Sequence, residues 1–162
     1  NYFTTGQMRN ALIQIEDQMV HSNWMPNIIL GINRGGCIPG VYLSHALGIE
    51  NIPIRWQNRD GAQKDPLPER VLEKGHQILI VDDINDTGAT FNWIAKDWQA
   101  SCHPTHERWT NVWGNNVRIA TLTDNMASET VLPISYTCHE VNKAEEDVWL
   151  VYPWENVGAY DG

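Results

Sequence analysis

The segment from Ile78 to Thr90, ILIVDDINDTGAT, constrains the fold of this chain more than any other part of it. It begins with four consecutive apolar residues, Ile78–Val81. Such a run is typical of a strand that helices cover on both faces, as in a parallel sheet. Asp82 and Asp83 follow directly, and such sheets bind ligands beyond the carboxyl ends of their strands. The segment therefore predicts a buried parallel strand that leads two carboxylates to a ligand site.

Residues 86–90, which follow, predict an anion-binding turn before a helix that begins at Phe91. The backbone amides of such a turn can converge on an anion, and the helix adds its N-terminal partial charge. Gly88 permits a positive φ, while Thr87 and Thr90 add hydroxyl donors. We call residues 86–90 the phosphate loop.

Two ionised carboxylates side by side repel each other, so Asp82 and Asp83 require a partner such as a divalent metal or a diol. The alternative is a surface turn in which Asp82, Asp83 and Asp86 only cap a helix. Capping needs one such side chain rather than three and a glycine. We therefore favour a ligand site.

A second block has the same plan, from Ile28 to Gly40, IILGINRGGCIPG. A short apolar strand runs into a polar turn, residues 33–36. Gly35 and the glycine after it let the backbone approach a ligand closely, and Arg34 offers a forked cation suited to phosphate oxygens. The alternative is an ordinary glycine turn with a solvated arginine, which the presence of the first block disfavours.

These blocks resemble the signature of the type I phosphoribosyltransferases. In that family the first block holds the ribose phosphate of phosphoribosyl pyrophosphate (PRPP), and residues 33–36 correspond to the loop that holds its pyrophosphate group. A third block, Val148–Glu155, VWLVYPWE, resembles the base-binding hood of the xanthine and guanine branch, a W-x-x-x-P-W-acid string. The alternative for this block is a core strand, with Trp154 as filler.

The resemblance implies an α/β fold, in which residues 1–162 form a single doubly wound domain with a mainly parallel central sheet flanked by helices. It also implies a small C-terminal hood, at about residues 123–162, and a flexible flap at about residues 58–74. In the flap, Arg59 and Lys64 are candidates for contacting the pyrophosphate, although solvated side chains are the alternative.

The resemblance also assigns roles to individual residues. Asp86 would be the general base, or would stabilise the protonated base, and Arg34 would stabilise the leaving pyrophosphate. Asp83 and Asp82 would anchor the ribose hydroxyls, directly or through Mg²⁺. The base would contact Trp149, Leu150 and Glu155. The implied PRPP-binding residues are Arg34, Gly35, Asp82, Asp83, Asp86, Thr87, Gly88, Ala89 and Thr90.

One departure from the family concerns the base. The purine branch carries a lysine after a late strand, which donates to the exocyclic oxygen of the base, and that place falls near Asp124. A carboxylate only accepts hydrogen bonds, so Asp124 cannot replace an ammonium. Either an amino-substituted ring is favoured, or the hood is built differently.

Composition narrows the remaining classes of function. A chain of 162 residues, 42% of them hydrophobic, suits one compact domain. The formal net charge of −9, with 11 Lys and Arg, argues against nucleic acid as a partner. No apolar run approaches the roughly 20 residues that span a bilayer. The three widely spaced cysteines suit a reducing compartment. We expect a cytoplasmic protein with no membrane partner.

The remaining pattern predicts alternating helices and strands. Thr4 or Thr5 is expected to cap a first helix whose buried face is Met8, Leu12, Ile15 and Met19. The other predicted helices cover residues 38–47 and a segment with Phe91, Ile94, Ala95 and Trp98 on one face. The other predicted strands are residues 27–32, 52–56, 117–122, 134–138 and 148–151.

The segment between Trp98 and Asn116 is rich in Trp, His and Cys. Cys102, His103 and His106 suggest a metal site, but their spacing lacks the paired groups of a structural zinc site. We favour tryptophans that pack at a subunit contact or beside the hood, since exposed aromatic clusters mark interfaces. We expect a homo-oligomer, either a dimer or a tetramer.

The combined hypothesis is a Mg²⁺-dependent transfer of a phosphoribosyl group from PRPP to a purine-like base. The alternative is a regulatory protein that senses PRPP or a nucleotide without turnover, because a fold does not guarantee a reaction. A phosphate-ester hydrolase is disfavoured, because these residues provide neither an activated nucleophile nor a two-metal carboxylate set.

Overall fold

The computed structural model describes residues 2–54, 71, 74–101, 109–146 and 148–155. Five strands form one sheet in the order β2-β1-β3-β4-β5, and every neighbouring pair is parallel. The strands are β1 (Ile28–Ile32), β2 (Glu50–Ile54), β3 (Ile78–Asn85), β4 (Val117–Asn125) and β5 (Tyr136–Val141). The helices are α1 (Thr5–His21), α2 (Cys37–Leu47), α3 (Ala89–Ser101) and α4 (Trp109–Val112). The predicted α/β fold with a parallel sheet flanked by helices is confirmed.

The central strand β3 is buried on both faces, as its apolar run predicts. Successive side chains of a strand point to opposite faces, so the run divides between two cores. Ile78 and Ile80 pack with residues of α3, which include Phe91, Ile94 and Trp98. Leu79 and Val81 pack with residues of α1 and α2, which include Met8, Leu12, Ile15, Met19 and Leu43.

The first helix begins as its sequence predicts. Thr4, rather than Thr5, is the N-cap. Its Oγ1 accepts a hydrogen bond from Gln7 N at 3.1 Å, and Gln7 Oε1 accepts one from Thr4 N at 2.8 Å. This capping box satisfies backbone donors that the first turn of a helix leaves without partners. The four predicted apolar positions are buried.

The bounds of the two strands around the site differ from prediction. β3 continues through both carboxylates to Asn85, because Asp82 and Ile84 pair with Thr121 and Thr123 of β4. Asp82 and Asp83 therefore lie within the strand rather than beyond it. β5 runs later than predicted, over Tyr136–Val141.

The strand predicted at residues 148–151 is wrong. Residues 148–150 are irregular, and Val151 makes only an isolated parallel bridge with Tyr2. Leu150 packs against the α1-side core from this irregular segment, so burial rather than strand pairing explains its apolar character. β2 begins at Glu50, two residues before its predicted start, and Trp56 lies outside the described residues.

Trp113, which we expected at a subunit contact or beside the hood, packs against the core instead, next to Trp98 of the predicted helix face. Trp98 is fully buried, and its ring centroid lies 5.7 Å from that of Trp113. Trp113 is partly buried against the same core. Cys102, His103 and His106 lie outside the described residues. Within the described ranges, the helices are too short or too polar to cross a membrane.

Candidate active site

The two carboxylates of β3 line a cavity of about 190 Å³. The rest of its lining is the continuous segment from Ile84 to Phe91. Asp82 Oδ1 accepts a hydrogen bond from Asp83 N at 2.8 Å, and Asp83 Oδ1 accepts one from Ile84 N at 2.8 Å. These local bonds orient both carboxylates at the edge of the cavity, where the sequence predicted a ligand site.

Burial and charge make this carboxylate pair unfavourable without a partner. Burial raises the pKa of Asp82 well above its usual value, and the neighbouring charge of Asp83 raises it further. Burial also raises the pKa of Asp83, although hydrogen bonds from Asp82 and from the Ile84 amide oppose that shift. A cation would offset the repulsion between the two carboxylates, and a diol would donate hydrogen bonds to them.

Gly88 shapes the phosphate loop. Its φ is +89°, a conformation that L side chains rarely adopt. A Cβ at this position would also collide with the backbone of Thr130. Thr87 O accepts a hydrogen bond from Glu129 N at 3.0 Å, which holds the loop against the same segment. Only glycine therefore fits this turn without displacing residues 129–130.

The phosphate loop is shorter than predicted, because α3 begins at Ala89 and not at Phe91. Ala89 and Thr90 are therefore the first residues of a helix rather than part of a turn. Ala89 N donates to Thr87 Oγ1 at 3.2 Å. The amides of a helix N-terminus point outward and favour an anion, so the correction leaves the predicted anion-binding chemistry in place.

The loop at residues 33–36 packs directly against the carboxylate pair. A Cβ at Gly35 would collide with the carboxylate of Asp83, and a Cβ at Gly36 would collide with Val81 O. Gly36 is therefore required by the close approach of two backbone segments, whereas a side chain at Gly35 would displace the Asp83 carboxylate. The side chain of Arg34 is exposed on this loop, and the Asn33–Arg34 peptide bond is cis. Sequence reasoning predicted this loop, and the fold places it against Asp83 at the end of β3.

A phosphoribosyl transferase domain model matches residues 2–153. The chain belongs to the phosphoribosyltransferase family. A purine phosphoribosyltransferase from Pyrococcus horikoshii is similar in structure, with 22% identity and a TM-score of 0.66 over 100% of this chain and 98% of that one. The xanthine-guanine-hypoxanthine phosphoribosyltransferase of Helicobacter pylori has 15% identity and a TM-score of 0.69 over 96% and 93%. A Neisseria gonorrhoeae protein with bound ppGpp has 19% identity and a TM-score of 0.67 over 96% and 89%.

These findings confirm that the chain is a phosphoribosyltransferase, as the signature blocks predicted. The identities are low, so the similar structures establish the fold. The positions of the individual substrate-binding residues stay predictions. Arg59 and Lys64 of the predicted flap lie outside the described residues.

Tyr152, which the sequence did not single out, joins the C-terminal segment of this phosphoribosyltransferase to β3. It is 2% exposed, and its hydroxyl lies 3.1 Å from Asp83 O and 2.9 Å from Thr123 Oγ1. The single proton of the hydroxyl can be donated to Asp83 O while the Thr123 hydroxyl donates to Tyr152. Burial raises the pKa of Tyr152 well above its usual value, so the phenol stays neutral. Trp154 stacks on this ring, with centroids 5.0 Å apart.

Replacing Tyr152 by Phe should lower the free energy of unfolding by about 1–2 kcal/mol, because a buried carbonyl and a buried hydroxyl lose their partner. Urea denaturation measures this change. Tyr42→Phe is the matched control, since Tyr42 is 40% exposed and its loss should be smaller. Equal losses in the two variants would show that the Tyr152 hydroxyl does not hold this segment.

The structure separates the three residues that were predicted to contact the base. Trp149 is 66% exposed, whereas Trp154, the alternative core filler, packs partly buried against the α1-side core. Leu150 instead lines a second cavity, of about 520 Å³, between α1 and β5. Glu155 Oε1 accepts a hydrogen bond from Tyr152 N at 3.1 Å, and its charge contributes to the raised pKa of Asp83. Glu155 therefore lies on the Asp83 side of the segment, apart from Leu150.

Asp86 forms an ion pair that sequence reasoning missed. Lys143 Nζ lies 3.0 Å from Asp86 Oδ1. Asp124, near which the resemblance places the lysine of the purine branch, accepts a hydrogen bond from Asn85 Nδ2 at 2.8 Å. No signal in the sequence linked Asp86 to Lys143, because the contact depends on how the turn after β5 folds back to the phosphate loop.

Proposed function

We propose that this phosphoribosyltransferase transfers the phosphoribosyl group of PRPP to a purine-like base and releases pyrophosphate. The observation that carries the proposal is the convergence of three segments at the end of β3. The carboxylate of Asp83 packs against Gly35, and the cavity beside it is completed by the phosphate loop and the start of α3. Carboxylates for a diol and amides for phosphates are the two kinds of group that PRPP requires.

The reaction breaks the bond between the anomeric carbon and the pyrophosphate oxygen, and forms a bond from that carbon to a ring nitrogen of the base. Positive charge develops on the sugar and negative charge on the leaving group. Arg34 would stabilise the leaving group, and Asp82 and Asp83 would fix the ribose hydroxyls. Asp86 would accept the proton that the ring nitrogen loses, or stabilise the protonated base. Closure of the predicted flap would exclude water.

The two carboxylates also fit a magnesium ion. Mg²⁺ typically binds one or two carboxylates, several waters and substrate phosphates, and it would stabilise the pyrophosphate charge. Asp82 and Asp83 would hold it, since a cation offsets the burial and repulsion that raise their pKa values. The part of the chain that the structure describes contains no group of three or more potential metal ligands, so substrate and water oxygens would complete the shell.

Removing one carboxylate should remove most of the stabilisation by Mg²⁺ and PRPP. When Mg²⁺ and PRPP are present at about 100 times their dissociation constant, their binding should stabilise the wild type by about 2.7 kcal/mol. This stabilisation is measured as a rise in Tm. Asp83→Asn should lose most of this rise. Asp17→Asn, which changes an exposed residue of α1, should keep it. An unchanged rise in the Asp83 variant would exclude that carboxylate from the site.

Incubating the protein with Mg²⁺, PRPP and a panel of nucleobases, with a pyrophosphate assay, tests the proposal directly. We expect release of pyrophosphate that depends on the presence of one class of base. Absence of release with every base, together with a normal Tm, would reject the transferase activity.

A second candidate is a regulatory protein that binds a nucleotide or PRPP without turnover. It is supported by the Neisseria gonorrhoeae structure of similar fold, which contains bound ppGpp. Tight binding of a nucleotide with no pyrophosphate release in the same assay would favour this candidate. The cytoplasmic location and the homo-oligomeric state stay predictions, which fractionation and light scattering can test.

A further inference from the structure

Lys143 reaches the candidate site from the turn after β5. Its Nζ lies 3.0 Å from Asp86 Oδ1 and 6.0 Å from the ring centroid of Trp149. Asp86 is the proposed general base, and Trp149 is one of the residues predicted to contact the base. The Lys143 side chain is only 24% exposed, although Trp149 beside it is 66% exposed. An ammonium group is therefore held between the two residues that are expected to meet the base.

A buried amide holds this arrangement in place. Asn125 is 7% exposed, and its Oδ1 accepts a hydrogen bond from the backbone N of Lys143 at 3.0 Å. Its Nδ2 donates to the backbone O of Asp86 at 2.8 Å. One side chain thus joins the backbones that carry the two charged groups. Because this link is made through the main chain, it does not depend on the ion pair itself.

The side chain of Asp124 is engaged by a contact within the sheet. Asn85 Nδ2 donates both to Asp124 Oδ1 and to Ser128 Oγ, each at 2.8 Å. The carboxylate of Asp124 therefore takes part in linking β4 to β3. β5 is the neighbour of β4 in the sheet, so the turn after β5 opens at the same edge.

We propose that Lys143 is a specificity-determining residue that selects a purine with an exocyclic oxygen at C6, an inference that rests on the proposed function. An ammonium has three donors and no acceptor. It can keep its bond to Asp86 and donate a second hydrogen bond to a carbonyl oxygen of the base. An exocyclic amino group would instead direct its own donors at the ammonium and leave them unpaired. The expected substrates are hypoxanthine, guanine or xanthine rather than adenine.

Binding of the product nucleotides IMP, GMP and AMP, measured by calorimetry, tests this selection without requiring turnover. Lys143→Met should weaken the binding of IMP and of GMP about 10- to 100-fold, the loss expected for one charge-assisted hydrogen bond. AMP and PRPP should change by less than about threefold. Lys143→Arg should retain part of the preference, because it keeps a cation. Lys96→Met, which removes an exposed lysine of α3, is the matched control and should leave the affinity for all four ligands unchanged.

Trp149→Ala provides a contrast, because stacking does not read the edge of a base. It should weaken IMP, GMP and AMP by similar factors. The selection by Lys143 would be overturned if Lys143→Met weakened the binding of IMP and AMP equally or changed neither. A wild type that prefers AMP would also overturn it. If the wild type binds IMP over AMP through Lys143 but releases no pyrophosphate with any base, the transferase proposal fails while the selection stands.

Discussion

Asp86→Asn should lower kcat about 100- to 10,000-fold, the range expected when a positioned general base is removed. The apparent affinity for PRPP should change by less than about threefold, because an interaction made only in the transition state affects turnover rather than binding. Steady-state kinetics with the best base of the panel measure both quantities. An equal loss in kcat and in PRPP affinity would remove the base role from Asp86.

The ion pair with Lys143 requires a control for this variant. Asp86→Asn removes the pair, and so does Lys143→Met, but only the first removes the carboxylate. The Asp86 side chain is 46% exposed, so loss of the pair alone should cost no more than about 1 kcal/mol of stability. If Lys143→Met lowers kcat as far as Asp86→Asn, the loss is not specific to the Asp86 carboxylate, and the variant gives no support to a base role.

Gly88→Ala should lower both the stability of the protein and its affinity for PRPP, although it adds only one methyl group. The positive φ costs about 1–2 kcal/mol for a residue with a Cβ, and the collision with Thr130 adds about 1–3 kcal/mol of overpacking. Relief of the collision would shift the loop amides, so we expect PRPP affinity to fall by at least about tenfold. Urea denaturation measures the loss of stability, and calorimetry measures the affinity for PRPP.

Gly48→Ala separates backbone conformation from crowding. Gly48 ends α2 with a φ of +66°, but a Cβ there meets no atom within 4 Å. Its loss of stability should be about 1–2 kcal/mol, from conformation alone, with no change in PRPP affinity. Similar losses in both variants, or an unchanged PRPP affinity in Gly88→Ala, would show that contact with residue 130 does not shape the loop.

Local pattern was sufficient for much of the fold. The apolar run before Asp82 predicted a strand buried on both faces, and the threonines at residues 4–5 predicted the start of the first helix, where Thr4 is the N-cap. Such features depend on neighbours in the chain, so the sequence reveals them. The irregular segment that contains Leu150 was misread as a strand, because an apolar side chain is buried equally well by packing against α1 without any pairing.

The sequence by itself determined which groups are available: a carboxylate pair, two glycine turns and an aromatic C-terminal block. The tertiary structure alone decided which of them meet. It places Gly35 against Asp83, joins Tyr152 to β3, and brings Lys143 to Asp86 through Asn125. These contacts join segments that are far apart along the chain, and their geometry depends on strand order and on backbone turns that no local pattern encodes.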